Sequence, residues 1–387
     1  MKIGILTFHR PINYGAFLQA YSLSNKLKEV FPLSSIEIID YIAPKEKKKI
    51  TLNVLRRVKN SGILNGLRDI KKIRAFNKSY SELSLSRYVS TTNLLDLFKF
   101  IDAEYDLLII GSDAVFNWNQ NGYPTAFIPN YNFKRCKVVT YAASVHGLRY
   151  FDENKERLIQ CGNSFNNMKL VGVRDQNTEK FVKHCYSNVE VVHCCDPTVV
   201  INIDKVLLLA GDYVKKIQKK YKCDLSKKFV VLMLPDGQFT KAIYENYSKE
   251  YQIITLFKPS IHSDYYLYDL NPFEWAAVLS KASLVITSYF HGTLLALKQN
   301  TPVICVDYSN YNAPYEGKLK DLLLTRFNLH ELYFESSTIS NQETQKLAFE
   351  TINQALNSEF NSRINNAVLS ESLAFEKYID ILRGKLE

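Results

Sequence analysis

The sequence predicts an α/β protein made of two Rossmann-like, doubly wound parallel-sheet domains with a cleft between them. Short runs of Val, Ile and Leu alternate with helical segments along most of the 387-residue chain. The alternation stops at a turn-rich stretch, residues 197–226, and then begins again. Strands that alternate with helices form parallel sheets, so two such series indicate two domains, 1–196 and 197–387.

The first domain opens with a strand, a polar loop over residues 9–15 and a helix over 16–29. Its predicted strands cover residues 2–8, 36–40, 106–110, 137–141, 170–173 and 189–192. Each is a short apolar run, as expected for a strand that is buried on both faces of a parallel sheet. A basic helical insertion of about residues 45–90 separates the second strand from the third.

In the second domain the predicted strands cover residues 229–234, 252–257, 284–287 and 303–306. A helix is expected from Asn271 to about Lys281, because Asn271 is a good N-cap and Pro272 suits the first helical position. A further helix begins at Gly292 and ends before Pro302. Residues 341–387 are helical in pattern, and we assign them to this domain as C-terminal helices that can fold back across the interdomain face.

Bulk composition predicts a soluble cytoplasmic protein. Hydrophobic residues make up 46% of the chain, yet no apolar run approaches the roughly 18 residues that a membrane span needs. The N-terminus has no signal-peptide pattern. Seven cysteines without spaced pairs argue against a disulfide framework. Metal-capable side chains occur at His193–Asp196, but neighbours on a strand point to opposite faces, so we expect no metal site there.

The net charge of +10 is concentrated in one segment. Between Lys45 and Lys78 there are twelve basic residues and only two acidic ones, with apolar residues at helical spacing. Such a basic amphipathic helix either packs on its own domain with a solvated basic face or lies on the anionic inner face of a membrane. No groove-reading motif accompanies the charge, so nucleic acid is not an expected partner.

Polar residues follow the C-terminal ends of five predicted strands. In a doubly wound sheet these ends meet at one edge, where ligands bind. The residues are Asn13, Tyr14 and Gly15; Gly111, Ser112 and Asp113; Ser144; Arg174 and Asp175; and His291, Gly292 and Thr293. Each could be structural by itself, as a helix cap, a surface pair or a buried histidine. Together they indicate a ligand-binding edge.

Several common sites are absent from the sequence. The loop Asn13–Ala16 is not a GxGxxG fingerprint, and there is no Walker motif, HExxH motif or GxSxG elbow. We therefore expect neither a nucleotide cofactor nor a catalytic metal. An arginine, histidines, a carboxylate and helix N-termini remain, and this set suits a small, highly anionic ligand with proton transfer.

The motifs resemble those of the polysaccharide pyruvyl transferase family. The segment Thr7–Tyr21 is similar to the family's opening motif, and Ile109–Asn117 is similar to its GSDQVWN segment. Val173–Asp175, Asp196–Thr198 and Thr287–Thr293 follow in the family's order, and the last is similar to S-F-H-G-T. The resemblance covers roughly residues 1 to 330.

This resemblance implies a GT-B-like fold and transfer of the pyruvyl group of phosphoenolpyruvate to two hydroxyls of a sugar, in cell-surface polysaccharide synthesis. The acceptor would be nucleotide- or lipid-linked. Arg174 and His291 would bind the donor's anionic groups, helped by the Gly292 and Thr293 amides, and Asp113 would serve the sugar hydroxyl. The other residues expected to line the site are His9, Asn13, Tyr14, Gly15, Ser112, Ser144 and Ser288. Which groups act as general acid and base stays open.

Three positions depart from the family pattern. Tyr289 stands where the family usually has serine, and Ala114 stands where it usually has glutamine. The loop after Ser144 is one residue longer than usual. Two alternatives remain: a GT-B glycosyltransferase that uses a nucleotide sugar, and a membrane-surface scaffold that has kept the fold without the activity.

Overall fold

The structure, a computed structural model, describes residues 1–42, 63–309 and 317–387, together with Leu52. The strands of these ranges form two parallel sheets of six strands each. The predicted fold class, two doubly wound α/β units, is confirmed. The division between residues 196 and 197 falls between the last strand of one sheet and the first of the other, and it stays a prediction as a domain boundary.

The first sheet has the strand order β2-β1-β3-β4-β5-β6. Its strands are β1 (Lys2–Leu6), β2 (Ser35–Ile38), β3 (Leu107–Ile110), β4 (Lys137–Ala143), β5 (Leu170–Val173) and β6 (Val191–His193). Side chains of β3 alternate between two apolar clusters, because Leu107 and Ile109 enter one while Leu108 and Ile110 enter the other. Both faces of this sheet are therefore covered, as in other parallel sheets.

The second sheet has the order β12-β11-β10-β7-β8-β9. Its strands are β7 (Phe229–Met233), β8 (Gln252–Leu256), β9 (Tyr265–Leu267), β10 (Leu284–Thr287), β11 (Val303–Asp307) and β12 (Tyr333–Glu335). The sequence predicted the four inner strands but not the edge strands β9 and β12. Each edge strand has only three residues, too few to show a period of two.

Helices connect successive strands, and two further helices follow the last strand. In the first half they are α1 (Tyr14–Val30), α2 (Ile63–Lys78), α3 (Leu94–Glu104), α4 (Trp118–Asn121), α5 (Lys155–Asn166) and α6 (Gln176–Cys185). In the second half they are α7 (Ile203–Ala210), α8 (Tyr213–Tyr221), α9 (Gln238–Tyr247), α10 (Pro272–Lys281), α11 (Phe290–Lys298), α12 (Lys318–Lys320), α13 (Gln342–Leu356) and α14 (Asn361–Leu386).

Many of these helices begin after an Asn or Asp whose side chain accepts a hydrogen bond from the first turn, a residue type that the sequence alone suggests as an N-cap. For α10 the prediction is confirmed, because the Asn271 side chain accepts from the Glu274 amide at 2.9 Å and Glu274 accepts from the Asn271 amide at 2.8 Å. The stretch 197–226 is a correction: it contains α7 and α8, with Val206 and Ile217 buried. Gly211, with φ of 56°, separates the two helices, and this break made the segment look like turns.

The last helix lies against the first sheet, although the sequence analysis assigned it to the second domain. The Tyr378 hydroxyl of α14 donates to the Thr140 carbonyl of β4 at 2.8 Å. A Cβ on Gly172 of β5 would lie 2.8 Å from the Tyr378 ring, so the glycine allows this close approach. Phe375, Tyr378 and Leu382 are buried on the face that covers the sheet.

Part of the basic insertion lies outside the described residues, namely 43–51 and 53–62. The described part is α2, whose Phe76 is buried against Tyr14 and Phe17. Lys72 lies over the ring of Phe257 in the second half of the chain, with its Nζ 5.1 Å from the ring centroid. The helix thus packs on its own domain and also contacts the other one. Among the described residues, no helix combines the length and apolar character needed to cross a membrane.

Candidate active site

The strand ends of the two sheets meet at Arg174, which follows β5. Its side chain is only 1% exposed. Nη1 donates to the Asp196 carboxylate at 2.9 Å, Nη2 lies 3.7 Å from Oδ1 of Asp113, and Cζ lies 4.9 Å from the Phe290 ring centroid. Phe290 belongs to the second sheet's helix α11, so this one guanidinium contacts both halves of the molecule.

Asp196 is the main partner of that guanidinium, and the sequence analysis did not include it among the site residues. It also accepts from Gln19 Nε2 at 2.5 Å and from the Thr198 amide at 3.0 Å. Burial alone would raise the pKa of Asp196, but His291 and Arg174 outweigh it and hold the pKa well below the usual range. The Asp-Pro-Thr motif after β6 was the available signal for this residue.

Asp113 sits on the other side of Arg174 in an unusual backbone conformation. Its φ is 79°, and its carbonyl accepts from the Ser144 amide at 2.9 Å, which ties the loop after β3 to the end of β4. Gly111 has φ of 121°, and a Cβ there would lie 2.1 Å from the Tyr141 carbonyl oxygen. Although burial opposes ionisation, Arg174 and then Lys318 lower the pKa of Asp113. The carboxylate is therefore charged at neutral pH.

His291 lies in the first turn of α11, facing the first helix of the other domain. Its Nε2 is 3.7 Å from the Asp196 carboxylate and makes no hydrogen bond to the described residues. A Cβ on Gly15 would lie 2.0 Å from Nδ1 of His291. Gly15 therefore belongs to the site because no larger residue could stand beside this imidazole.

The amides at the start of α11 are only partly available. Tyr289 is the N-cap residue and makes no side-chain cap hydrogen bond. The Thr293 amide donates to the Tyr289 carbonyl at 2.9 Å, and the Thr293 hydroxyl donates to the same oxygen at 3.2 Å. This corrects the expectation that the Thr293 amide helps to bind the donor. Gly292, one residue earlier, belongs to the first turn, where helix amides have no partner within the helix.

Three other predicted residues hold the surrounding loops. Ser144 Oγ donates to Asp175 at 2.6 Å, and Asp175 caps α6 through the Thr178 amide at 2.8 Å. Ser288 Oγ donates to the Met233 carbonyl at 3.3 Å. Asp175 thus acts locally as a helix cap, while the neighbouring Arg174 enters the site.

Some residues of the opening loop line a cavity, and others make structural contacts. His9 Nε2 lies 3.0 Å from Asp40, and Arg10 Nε donates to the same oxygen at 2.6 Å. Burial opposes ionisation of Asp40, but His9 and Arg10 lower its pKa to about 2. Asn13 is exposed and caps α1, accepting from the Ala16 amide at 3.2 Å. The buried Tyr14 hydroxyl donates to the Leu270 carbonyl at 2.6 Å and joins the two domains.

A cavity of about 950 Å³ opens on the first-domain side of Asp113. Aromatic side chains and neutral hydrogen-bonding groups form much of its wall. The lining includes Thr7, Phe8, His9, Arg10, Asn13, Tyr41, Thr91, Thr92, Asn93, Asp113, Asn119, Gln120, Tyr123, Thr125 and Phe127. Its size lies within the range of about 300–1,000 Å³ that is usual for small-molecule pockets. Among the predicted site residues, His9, Asn13 and Asp113 contribute to it.

Two cationic residues of the site were missed by the sequence analysis. Arg326 Nη1 donates to the Arg174 carbonyl at 2.6 Å, and its guanidinium also pairs with Glu371 of α14. Lys318 begins α12, and its Nζ lies 5.3 Å from the Phe290 ring centroid. Neither follows a predicted strand, so the strand-end argument could not find them.

Several buried polar atoms of the site have no hydrogen-bond partner among the described residues. They are Ser112 Oγ, Arg174 Nε and Nη2, and His291 Nε2. Buried polar groups are nearly always paired, so such a group of donors at one place indicates a binding site. The guanidinium of Arg174, the ammonium of Lys318, the imidazole of His291 and the amides at the start of α11 suit a multiply charged anion. No cluster of three or more metal-ligating side chains occurs in the described ranges.

The fold defines a two-domain α/β protein of the GT-B-like class, and the candidate site lies where the strand ends of the two sheets meet. Solved structures with this fold include the UDP-GlcNAc 2-epimerase from Neisseria meningitidis bound to UDP-GlcNAc. It matches with a TM-score of 0.56 and 10% identity, over 99% of this chain and 100% of that chain. The epimerase from Rickettsia bellii matches with a TM-score of 0.52 and 10% identity, over 100% and 97%.

The chain belongs to the polysaccharide pyruvyl transferase family, whose sequence pattern matches residues 13–310. The resemblance found from the motifs is thus confirmed, and the family indicates a transferase. A search of curated proteins gave no match. Because the similar structures share only about a tenth of their residues with this chain, they support the fold and leave the ligand to the site itself.

Proposed function

We propose that the protein transfers the pyruvyl group of phosphoenolpyruvate to two hydroxyls of one sugar, forming a cyclic ketal and releasing phosphate. The observation that carries this proposal is the buried Arg174 beside His291, because two of its nitrogens make no hydrogen bond to the described residues in a chain of this family. A guanidinium can bind a carboxylate or a phosphate with two parallel hydrogen bonds. No cofactor is required, since the donor itself carries the leaving group.

The reaction moves two protons. One ends on the methylene carbon of the enol, which becomes the methyl group of the ketal, and the other leaves with the phosphate. Both come from the two sugar hydroxyls as they form bonds to the ketal carbon while its bond to the phosphate oxygen breaks. His291 is our candidate for phosphate binding and proton transfer, and Asp113 is our candidate for accepting the hydroxyl proton.

The cavity beside Asp113 suits the acceptor. Aromatic residues such as Phe8, Tyr41 and Tyr123 provide apolar surface, and amides such as Asn119 provide hydrogen bonds to hydroxyls. In this arrangement the acceptor binds in the first domain and the donor binds at the start of α11. We further propose a role in cell-surface polysaccharide synthesis, with a nucleotide- or lipid-linked acceptor and contact of the basic helix α2 with an anionic membrane.

The test compares Arg174→Lys and His291→Asn with the wild type and with Arg149→Lys, a control at an exposed position. Binding of phosphoenolpyruvate is measured by calorimetry, and phosphate release is measured with and without a panel of sugar acceptors. We expect Arg174→Lys to weaken donor binding about tenfold or more, because lysine lacks the planar guanidinium that binds an anion through two parallel hydrogen bonds. His291→Asn should lower acceptor-dependent phosphate release, and Arg149→Lys should change neither quantity.

Two results would contradict the proposal. One is stabilisation of the protein by nucleotide sugars with no response to phosphoenolpyruvate, which would favour a glycosyltransferase. The other is full activity in both site variants. In the expected reaction the acceptor gains the mass of a pyruvate ketal, and mass spectrometry detects this directly.

A further inference from the structure

The ring of Phe290 lies against two cations rather than one. Arg174 Cζ is 4.9 Å from the ring centroid, and Lys318 Nζ is 5.3 Å from it. Since Phe290 immediately precedes His291, both cations lie at the start of α11, where the candidate anion site is. Lys318 follows residue 310, the end of the stretch that matches the family.

The position of Lys318 is fixed by packing. It begins α12, which continues directly into a π-helix, Asp321–Arg326. Leu319, Leu322 and Leu323 are buried along this segment. At its far end Arg326 donates to the Arg174 carbonyl. The segment is therefore anchored in the core and to the same residue whose guanidinium forms the site.

The electrostatic surroundings of Lys318 call for an anion. Burial lowers the pKa of its ammonium, which Asp113 partly offsets, while Arg174 lowers it further. The Lys318 ammonium lies over the Phe290 ring, with Nζ 5.3 Å from the ring centroid. Asp196, the nearest strong carboxylate partner of Arg174, is already bonded to Arg174, Gln19 and Thr198. Asp113 compensates part of this positive charge, yet Nε and Nη2 of Arg174 and Nε2 of His291 make no hydrogen bond to the described residues. A bound anion would satisfy these donors, which the carboxylates leave unpaired.

We propose that Lys318 is a third anion-binding residue of the site, and that its ammonium holds the phosphate of the donor together with Arg174 and His291. The identity of the donor rests on the proposed function, but this role needs only an anion that carries phosphate. As the bond between the ketal carbon and the phosphate oxygen breaks, negative charge grows on the phosphate. A fixed cation in a site with little water stabilises that charge.

The experiment uses the full chain with Lys318→Met, which keeps the length of the side chain, and with Lys318→Arg, which keeps its charge. The matched control is Lys320→Met in the same short helix, because its Nζ lies 3.7 Å from Glu335 on the edge strand β12. Binding of inorganic phosphate is measured by calorimetry. We expect Lys318→Met to weaken it about 10- to 100-fold. Lys318→Arg should retain binding, and Lys320→Met should match the wild type.

Binding of phosphate by a folded Lys318→Met variant at the wild-type affinity would overturn the inference. If that variant does not fold, as judged by circular dichroism, Lys318→Gln decides by the same measurement. The experiment also distinguishes failure of the Lys318 inference from failure of the proposed function. A wild type that binds phosphate but releases none from phosphoenolpyruvate contradicts the proposed function, whereas Lys318 still stands or falls by its effect on phosphate binding.

Discussion

Gly15 and His291 lie close together where the two halves of the candidate site meet. The glycine belongs to the first turn of α1 and the histidine to the first turn of α11, so a single Cβ decides whether the imidazole can stay where it is. The second residue-scale feature is His146, on the loop after β4. Burial, helped by the nearby cations Lys318 and Arg174, lowers its pKa to about 4.

We predict that Gly15→Ala lowers activity strongly, because the added methyl group would overlap His291. The control is Gly384→Ala in α14, where a Cβ would meet nothing within 4 Å. Replacing a helical glycine in open space should stabilise the protein by about 0.5–1 kcal/mol. Phosphate release and thermal unfolding are measured for both variants. Wild-type activity in Gly15→Ala would show that the contact is not needed.

His146 gives a prediction about pH. Because its imidazole stays neutral in the folded protein, it takes up a proton on unfolding once the pH falls below about 6.5. Its contribution should reduce the free energy of unfolding by about 1–3 kcal/mol as the pH decreases from about 6.5 to about 4, and change little below that. Urea unfolding at several pH values in this range gives the free energy of unfolding, which should depend less steeply on pH for His146→Gln than for the wild type. His330→Gln, which removes an exposed histidine, is the control; equal slopes for all three proteins would contradict the prediction.

At the scale of elements, α2 has two different faces. Phe76 is buried, whereas Leu64 and Leu67 are 75% and 49% exposed. Lys71, Arg74 and Lys78 are exposed too and continue the same stripe at spacings of three and four residues. The helix thus packs on the domains through one face and leaves a second, basic face exposed to solvent. Contact of that face with a membrane stays a proposal.

We predict that replacing Lys71, Arg74 and Lys78 with Gln weakens sedimentation with phosphatidylglycerol vesicles. Each basic residue near such a surface contributes about 1 kcal/mol, so the three together should change the partition on the order of 100-fold. The control replaces the exposed Lys215, Lys219 and Lys227, which removes equal charge elsewhere. Equal binding by the two variants, or no binding by the wild type, would remove the membrane from the proposal.

At the scale of the whole molecule, one apolar cluster runs through both sheets. Ile3 and Ile5 of β1, Val230 of β7 and Phe375 of α14 all belong to it. The helix α1 contacts α10, and α14 returns to cover β5 and β6. The two domains are therefore joined by shared core as well as by polar contacts such as that of Tyr14 with Leu270. This arrangement fixes the distance between the two halves of the site.

The sequence by itself determined the parallel α/β class, the inner strands and the residues that follow them. These features depend only on residues that are neighbours in the sequence. The spacing of apolar residues indicates which positions are buried, and the end of a parallel strand indicates which polar residues lie at the ligand-binding edge of the sheet. Arg174, Asp113 and His291 could therefore be expected at one edge of the fold from their positions after predicted strands. The sequence also indicated the family, since its motifs occur in order along the chain.

Only the tertiary structure decided which side chains meet. Asp196 accepts from Gln19, 177 residues away along the chain, and Arg326 binds the carbonyl of Arg174, 152 residues away. Lys318 lies over the ring of Phe290 beside the candidate anion site, and α14 covers the first sheet although it comes last in the chain. Periodicity shows that a residue is buried but not against what, because the partner is chosen by the packing of elements far apart in sequence.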